Sequence, residues 1–403
     1  MFDIFKEQRG LTLFATILII FYGIYYMPID SFAMNAPIKM ALMISSIIVL
    51  LFYSFKASKA VVWGIIYLVF QYAVASFHPD TFRWSTYIYS ILLVLTFVSF
   101  YNLVWIEKVF TIEHFIRICK WFMMAYFVVC IIQQAALLVG INYMPLINIM
   151  KVLDRGLGCQ SLSMEPSTFS RFMLVFYYAY IKCCEYKRDE GPFTLRELFE
   201  GEHKWVTIRF LWMMLTMGSG TAFVCLILFS LYFVRAHNWY YIIPALAICY
   251  VLIQNSGIEA LDRATNTIEA TATLDKGVVQ ETDGSAAARI APLLNSFQAD
   301  FTKKETWLGH GIDYGKNHNS FVRQTGTLFE DYGLLFYILS LLFAFSCAYN
   351  FWSIGCIFMF AGVGGGLGSN IQYLWELAMV MSCVKYFYKN RYNPEIYEEE
   401  CEE

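Results

Sequence analysis

The chain has 403 residues, of which 58% are hydrophobic and only 15% are charged, and its mean hydropathy is +0.51. Soluble domains carry about 25% charged residues, so this composition predicts that much of the surface faces lipid. The net charge of −3 excludes a nucleic-acid-binding protein that is held by bulk positive charge. At about 20 residues per spanning helix, about twelve crossings leave no room for a second large soluble domain.

Apolar segments follow one another along the chain and predict an all-α, polytopic integral membrane protein with about twelve transmembrane helices. The first segment lacks a small-residue cleavage site, so we do not expect a cleavable signal peptide. Between the short seventh and eighth segments, Gly218-Ser219-Gly220 predicts a tight turn. The twelve segments are 11–27, 38–55, 61–77, 87–105, 120–140, 166–184, 205–217, 221–234, 238–254, 331–350, 352–367 and 372–388.

Lysine and arginine are concentrated in alternate loops, which predicts that both termini are cytoplasmic. The one long loop on the outer side escapes this charge rule, and its apolar spacing over 285–301 predicts short helices that lie against the bundle. The expected divisions are residues 1–254 with transmembrane helices 1–9 (outer loop 141–165, cytoplasmic loop 185–204), a large periplasmic loop at 255–328, transmembrane helices 10–12 at 329–390, and an acidic cytoplasmic tail at 391–403.

The eleven cysteines are an odd number, and most lie in or beside apolar segments, where a thiol behaves as a small hydrophobic group. No CxxC, HExxH or paired-histidine spacing is present. The sequence therefore predicts neither a disulfide framework nor a metal site.

Two charged residues flank the start of the sixth segment. Pro166 suits the first turn of a helix, which places Glu165 at the helix N-terminus and Arg171 about one and a half turns deeper. An arginine inside the membrane is unfavourable unless it is paired or hydrated. Glu165 either caps the helix and pairs with Arg171 or Arg155, or else Glu165 and Arg171 both face a water-filled cavity that is open to the outside.

Two further clusters lie in the large outer loop. Arg289 follows Ser285 on a predicted loop helix, and a lone arginine there is more often a solvated surface charge than a ligand-binding group. Lys316, His318 and Asn319 precede Arg323 just before the tenth segment. A histidine near its ordinary pKa of about 6.5 can accept a proton from a sugar hydroxyl, although an ordinary loop histidine is the alternative.

Taken in order, these motifs resemble the O-antigen polymerase and ligase superfamily, the Wzy-like and WaaL-like membrane glycosyltransferases. The resemblance covers roughly residues 150–340. It is carried by Glu165-Pro166-Ser167 opening a span, TMGSGT at 216–221, Ser285 to Arg289, Leu308-Gly309-His310-Gly311, His318-Asn319-Ser320-Phe321 and Glu330-Asp331-Tyr332-Gly333.

The resemblance implies a GT-C-like, metal-independent and inverting glycosyltransferase of the bacterial inner membrane, acting at the periplasmic face without a cofactor. The substrate would be a glycan linked to undecaprenyl diphosphate, and the best match is an O-antigen polymerase that transfers the growing glycan onto a lipid-linked repeat unit. A chain-length regulator protein is left open as a partner. The implied catalytic residues are His318 and Glu165, either of which could be the base, and the implied substrate-binding residues are Arg289, Arg155, Arg171, Arg323, Lys316 and Asn319.

Two alternatives stay open. A ligase would transfer the finished glycan to lipid A-core, but its family pattern has nine residues and then GxxG after the His-Asn pair. Here 13 residues separate Asn319 from Gly333, and no second glycine follows at the family's spacing. A transporter or flippase of a lipid-linked sugar would place paired charges near the bilayer midplane on several helices. The sequence does not reveal the sugars, their linkage or the length of the polymer.

Overall fold

The structure, a computed structural model, describes residues 8–25, 37–141, 158–188, 190–233, 300–314, 327–351, 353–363, 366–368 and 372–394, with isolated positions between 244 and 281. Every regular element within these residues is a helix, so the all-α prediction is confirmed for them. The helices are α1 (Gln8–Tyr22), α2 (Pro37–Tyr53), α3 (Lys59–Ser76), α4 (Trp84–Trp105), α5 (Ile112–Leu138), α6 (Pro166–Arg188), α7 (Leu195–Leu198), α8 (His203–Thr216), α9 (Gly220–Ser230), α10 (Lys304–Leu308), α11 (Thr327–Cys347), α12 (Ile354–Val363) and α13 (Gln372–Asn390).

Helices occupy the predicted apolar segments with some shifts of boundary. The ninth segment, 238–254, and the predicted loop helix at 285–301 lie almost wholly outside the described residues. Helix α5 begins at Ile112, earlier than predicted, because the hydroxyl of Thr111 caps it by accepting a hydrogen bond from the His114 N–H at 3.3 Å. The predicted turn between α8 and α9 is present, and Gly218 adopts a φ of 68° there.

Within the described residues, four helices are long and apolar enough to cross a membrane, namely α3, α4, α5 and residues 328–347 of α11. Helices α1, α2 and the segment from Gly220 to Phe233 are apolar but shorter. Large hydrophobic side chains such as Phe52 and Val69 are more than half exposed on the outside of the bundle. A water-soluble fold would bury such side chains, so this surface is that of a membrane protein.

Helices α6 and α13 form the centre of the bundle and pack directly on each other. Helix α6 also packs against α5 and α9, and α13 packs against α4 and α1. Every residue from Phe169 to Ile181 is buried, so α6 is surrounded on all sides. The same holds for Leu374 to Val384 of α13. Polar groups on these two helices are therefore held away from the lipid. Charged side chains are tolerated in the interior of such a bundle.

The two ends of the bundle are formed by different segments of the chain. One end, called the loop end, is formed by residues 22–25, 158–166, 300–314 and 328–332. Two of these segments are joined there by a hydrogen bond from the Tyr25 N–H to the Leu162 carbonyl at 2.8 Å. The opposite end holds residues 54–58, 106–111, 190–202 and 348–353. It also holds the last turns of α6 and α13 with Lys187, Arg188 and Lys389, and it is called the basic end after these cations. Ion pairs there join Lys56 to Glu107 at 2.9 Å and Lys187 to Glu113 at 3.1 Å.

Candidate functional site: a buried charged cluster at the loop end

Of the residues predicted to form the site, the structure describes two, Glu165 and Arg171. The others lie outside the described residues, so their mutual geometry stays a prediction. They are Arg155, Arg289, Lys316, His318, Asn319 and Arg323.

Glu165 stands at the N-terminus of α6. Its carbonyl accepts the first helical hydrogen bond, from the Phe169 N–H at 3.0 Å, and Pro166 occupies the first helical position as predicted. The hydroxyl of Ser167 donates to the Glu165 carboxylate at 3.3 Å. Among the described residues no ion pair joins Glu165 to Arg171. The proposed staple between these two side chains is therefore absent, and the carboxylate faces the positive end of the helix dipole.

Arg171 lies buried among the central helices, with only 5% of its surface exposed. Its Nη1 donates a hydrogen bond to the hydroxyl of Tyr373 on α13, and the guanidinium carbon lies 5.5 Å from the centre of that ring. The buried Nε atom has no hydrogen-bond partner among the residues that the structure describes. Arg171 thus keeps an unused donor in a low-dielectric position, where an incoming anion would gain most from it.

Glu376 follows Tyr373 by one turn on α13 and is completely buried. Neither of its carboxylate oxygens has a hydrogen-bond partner in the described part of the chain. The carboxylate lies against the backbone of Gly23, where an added Cβ would come within 2.1 Å of Oε1. The absence of a side chain at Gly23 is thus what makes room for the charge.

Lys39 supplies the opposite charge from the first turn of α2. Its side chain is buried, and it interacts electrostatically with Glu376 without a hydrogen bond between them. The Lys39 ammonium lies 5.7 Å from the centre of the Tyr25 ring, a cation–π geometry. The Lys39 side chain thus lies inside the bundle and not in a solvent-exposed loop.

The three charges stand at similar depths. Lys39 is the third residue of α2, Arg171 the sixth of α6 and Glu376 the fifth of α13. At about 3.6 residues per turn, all three lie within the first two turns from the loop end. Sequence reasoning missed Lys39, Tyr373 and Glu376. Glu376 could have been identified from the sequence, since a carboxylate inside a predicted span is a functional-site candidate by default.

Two of the motifs that carry the family resemblance touch each other at the loop end. The N–H groups of His310 and Gly311 donate to the carbonyls of Glu330 and Asp331 at 2.9 and 2.8 Å. The segment after α10 is thereby fixed on the start of α11. This contact places the Gly309-His310-Gly311 segment at the same end of the bundle as the buried charges.

Comparison of the chain with protein-family models, with curated proteins and with solved structures finds no match. The chemistry of the buried cluster is therefore the main guide to what the protein does.

Proposed function

We propose that the protein is a surface-polysaccharide polymerase of the O-antigen type, a GT-C-like glycosyltransferase with about twelve spans in the bacterial inner membrane. It transfers a growing glycan from undecaprenyl diphosphate onto a lipid-linked repeat unit at the periplasmic face, and both termini are cytoplasmic. The observation that supports this most is Arg171, a buried cation with an unused donor at the loop end of an apolar bundle.

In the proposed reaction, an acceptor sugar hydroxyl attacks the anomeric carbon of the donor glycan. The bond between this carbon and the phosphate oxygen breaks, and undecaprenyl diphosphate leaves with the electron pair. His318 or Glu165 accepts the hydroxyl proton, and the anomeric configuration inverts. No metal takes part in the proposed mechanism, so cationic side chains must stabilise the charge on the leaving diphosphate.

Arginines oriented before the reaction stabilise that charge without reorganisation. Arg289 is the main diphosphate ligand in the proposal, and Arg171 reaches it from the centre of the bundle. Asn319 binds the glycan. The remaining cations assigned to the diphosphate are Arg155, Lys316 and Arg323.

The test begins with deletion of the gene in its host and inspection of the surface polysaccharide on a gel. A polymerase deletion leaves a single repeat unit on the core, and the wild-type gene restores the full ladder. Arg171→Gln should fail to restore the ladder at normal protein level, because the side chain loses the charge that faces the diphosphate. Arg196→Gln is the matched control, since Arg196 is 89% exposed at the opposite end. Full ladders from Arg171→Gln would remove Arg171 from the site.

The same gel separates polymerase from ligase. Deletion of a ligase abolishes all surface-attached glycan while the lipid-linked polymer accumulates. A polymerase deletion instead leaves no polymer on the lipid carrier. If a chain-length regulator works with the enzyme, deletion of that partner changes the length distribution of the ladder but keeps the polymer.

A second candidate function is a transporter or flippase of a lipid-linked sugar. It is favoured by the opposite charges of Lys39 and Glu376 on α2 and α13, which a transporter would use to couple substrate movement to a proton or ion. These charges lie near one end of the helices, whereas transporter sites lie near the midplane. Deletion of a flippase would leave not even one repeat unit on the surface core, and lipid-linked units would accumulate on the cytoplasmic side.

A further inference from the structure

A cavity of about 240 Å³ opens at the basic end of the bundle, on the side opposite to the charged cluster. It lies between α6, α13 and the connection from α11 to α12. Its polar lining consists of Lys182, Tyr186, Asn350, Ser353, Lys385 and Tyr388.

The electrostatic environment of this cavity is positive. No acidic residue is among its lining residues. Lys59 and Lys389 add further positive charge, since both interact electrostatically with Lys385. The nearest counter-charge is Glu185, which accepts a hydrogen bond from Lys182 at 2.7 Å. Two lysines therefore face one carboxylate, and the cavity attracts an anion.

The two lysines differ in what they can offer to a ligand. Lys385 donates to three backbone carbonyls, those of Phe345, Ser346 and Tyr349, so it contributes its charge but no spare proton. Among the described residues, Lys182 donates a hydrogen bond only to Glu185 and lies 5.4 Å from the centre of the Tyr232 ring, so two N–H groups remain for a ligand. Lys182 is thus the direct donor, and Lys385 is a fixed background charge.

The size and the apolar wall of the cavity select the kind of anion. Ala348, Met381 and Val384 line the part of the cavity that is not polar. A volume of 240 Å³ is below the range of about 300–1,000 Å³ that is usual for sites of drug-sized ligands. A phosphodiester with a small polar group fits this space, whereas a nucleotide does not. A lining that combines two lysines with an apolar wall suits an amphipathic molecule.

We infer that this cavity binds the phosphate headgroup of an anionic phospholipid, whose acyl chains remain in the bilayer outside the bundle. Basic pockets between transmembrane helices recognise anionic headgroups in the same way. The ligand chemistry is a phosphate anion, and the lipid is its source because the cavity belongs to a membrane protein and has an apolar wall. This site is independent of the glycosyl-transfer reaction proposed above.

The inference is tested with the full chain in detergent, by native mass spectrometry during titration with phosphatidylglycerol, phosphatidylethanolamine or inorganic phosphate. We expect phosphatidylglycerol to bind at least several-fold more tightly than phosphatidylethanolamine. Equal binding of the two lipids would overturn the inference. Inorganic phosphate that competes at similar concentration would show a soluble anion to be the ligand and would also overturn it.

Three variants assign the binding to the cavity. Lys182→Gln should weaken the binding of phosphatidylglycerol about fivefold, since one cation near the membrane surface contributes about that much. Lys204→Gln is the matched control, because this exposed lysine also belongs to the basic end but does not line the cavity. Glu185→Gln should have the opposite effect and tighten binding, because it frees Lys182 from its carboxylate. Tighter binding cannot result from misfolding, so that outcome supports the assignment directly. Unchanged or weaker binding by the Glu185→Gln variant contradicts the assignment.

Discussion

Lys39 and Glu376 are ionisable groups of opposite sign inside a bundle whose core is mainly apolar. Each would be strongly unfavourable there on its own, because the low-dielectric interior replaces the solvation that water provides. Among the described residues both Glu376 oxygens lack a donor, so the two groups interact through space without a hydrogen bond. An interaction of this kind adjusts easily when a ligand or a water molecule arrives.

A double-mutant cycle measures this interaction. Lys39→Met and Glu376→Gln should each lower the melting temperature of the purified protein, because each leaves the other charge buried and uncompensated. The double variant should lose less stability than the sum of the losses in the two single variants, with a coupling free energy of about 1 kcal/mol. The same cycle on the exposed pair Arg196 and Glu200 should give a smaller coupling, since surface pairs contribute little. Strict additivity for Lys39 and Glu376 would show that the two charges do not interact.

Two glycines allow the residues at the end of α10 to pack closely on the start of α11. Gly333 interrupts α11 with a φ of 79°, and an added Cβ would lie 2.4 Å from the backbone of Trp307. Gly309 has a φ of 69° and approaches the backbone of Asp331 equally closely. Backbone atoms cannot move aside as flexible side chains do, so both positions require glycine.

Gly333→Ala should therefore destabilise the protein by more than its backbone conformation alone explains. A non-glycine residue in a left-handed conformation costs about 1–2 kcal/mol, and a clash with backbone adds to that. Gly191→Ala is the matched control, because Gly191 has a φ of 82° with nothing within 4 Å of the added Cβ. Thermal unfolding of the two variants compares them directly. Equal shifts in melting temperature would mean that the docking of α10 on α11 contributes nothing.

A capping box fixes the short helix α7 in the connector between α6 and α8. The hydroxyl of Thr194 accepts the Glu197 N–H, and the Glu197 carboxylate accepts the Thr194 N–H at 2.5 Å. Hydrogen bonds from the hydroxyl and the N–H of Thr194 lower the pKa of Glu197 to about 2. Because the folded pKa lies below the ordinary value of about 4.3, the stabilisation is complete above that value and is lost as the pH falls toward 2.

Thr194→Ala should increase amide hydrogen exchange in residues 195–199, since the helix loses its N-cap. The exchange rates of α4 and α5 serve as the internal reference. In the wild type, protection corrected for the intrinsic rate should be nearly the same at pH 7 and pH 5, because Glu197 stays ionised at both. A loss of protection at pH 5 would contradict the low pKa.

For the whole molecule, the alternation of helix directions brings the loop end and the basic end to opposite sides. The described cysteines are all free and buried, which lowers the background in labelling experiments. If the basic end is cytoplasmic, Asp80→Cys should react with a membrane-impermeant maleimide in intact cells, and Glu190→Cys should react only after lysis. Asp80 and Glu190 are both exposed, so accessibility to the reagent depends on the side of the membrane. The reverse pattern would invert the proposed orientation.

Much of the fold could be predicted from the sequence because the signal is local. Helices such as α3 and α4 are marked by long, mostly apolar stretches, and the turn at Gly218 is marked by its glycines. The boundary of α5 was less predictable because a capping hydroxyl at Thr111, rather than hydropathy, determines it. At the site, the helix start at Pro166 could be predicted, and the partner of Arg171 could not.

The sequence alone thus determined the membrane character, the helical class and the approximate positions of the helices, since all three depend on hydrophobicity along a short window. Only the tertiary structure decided which charges meet. Arg171 contacts Tyr373, and Gly23 leaves room for Glu376, although each pair is separated by more than 200 residues in the chain. Such contacts arise from the packing of α1, α2, α6 and α13 around one another, and no local pattern encodes which helices become neighbours.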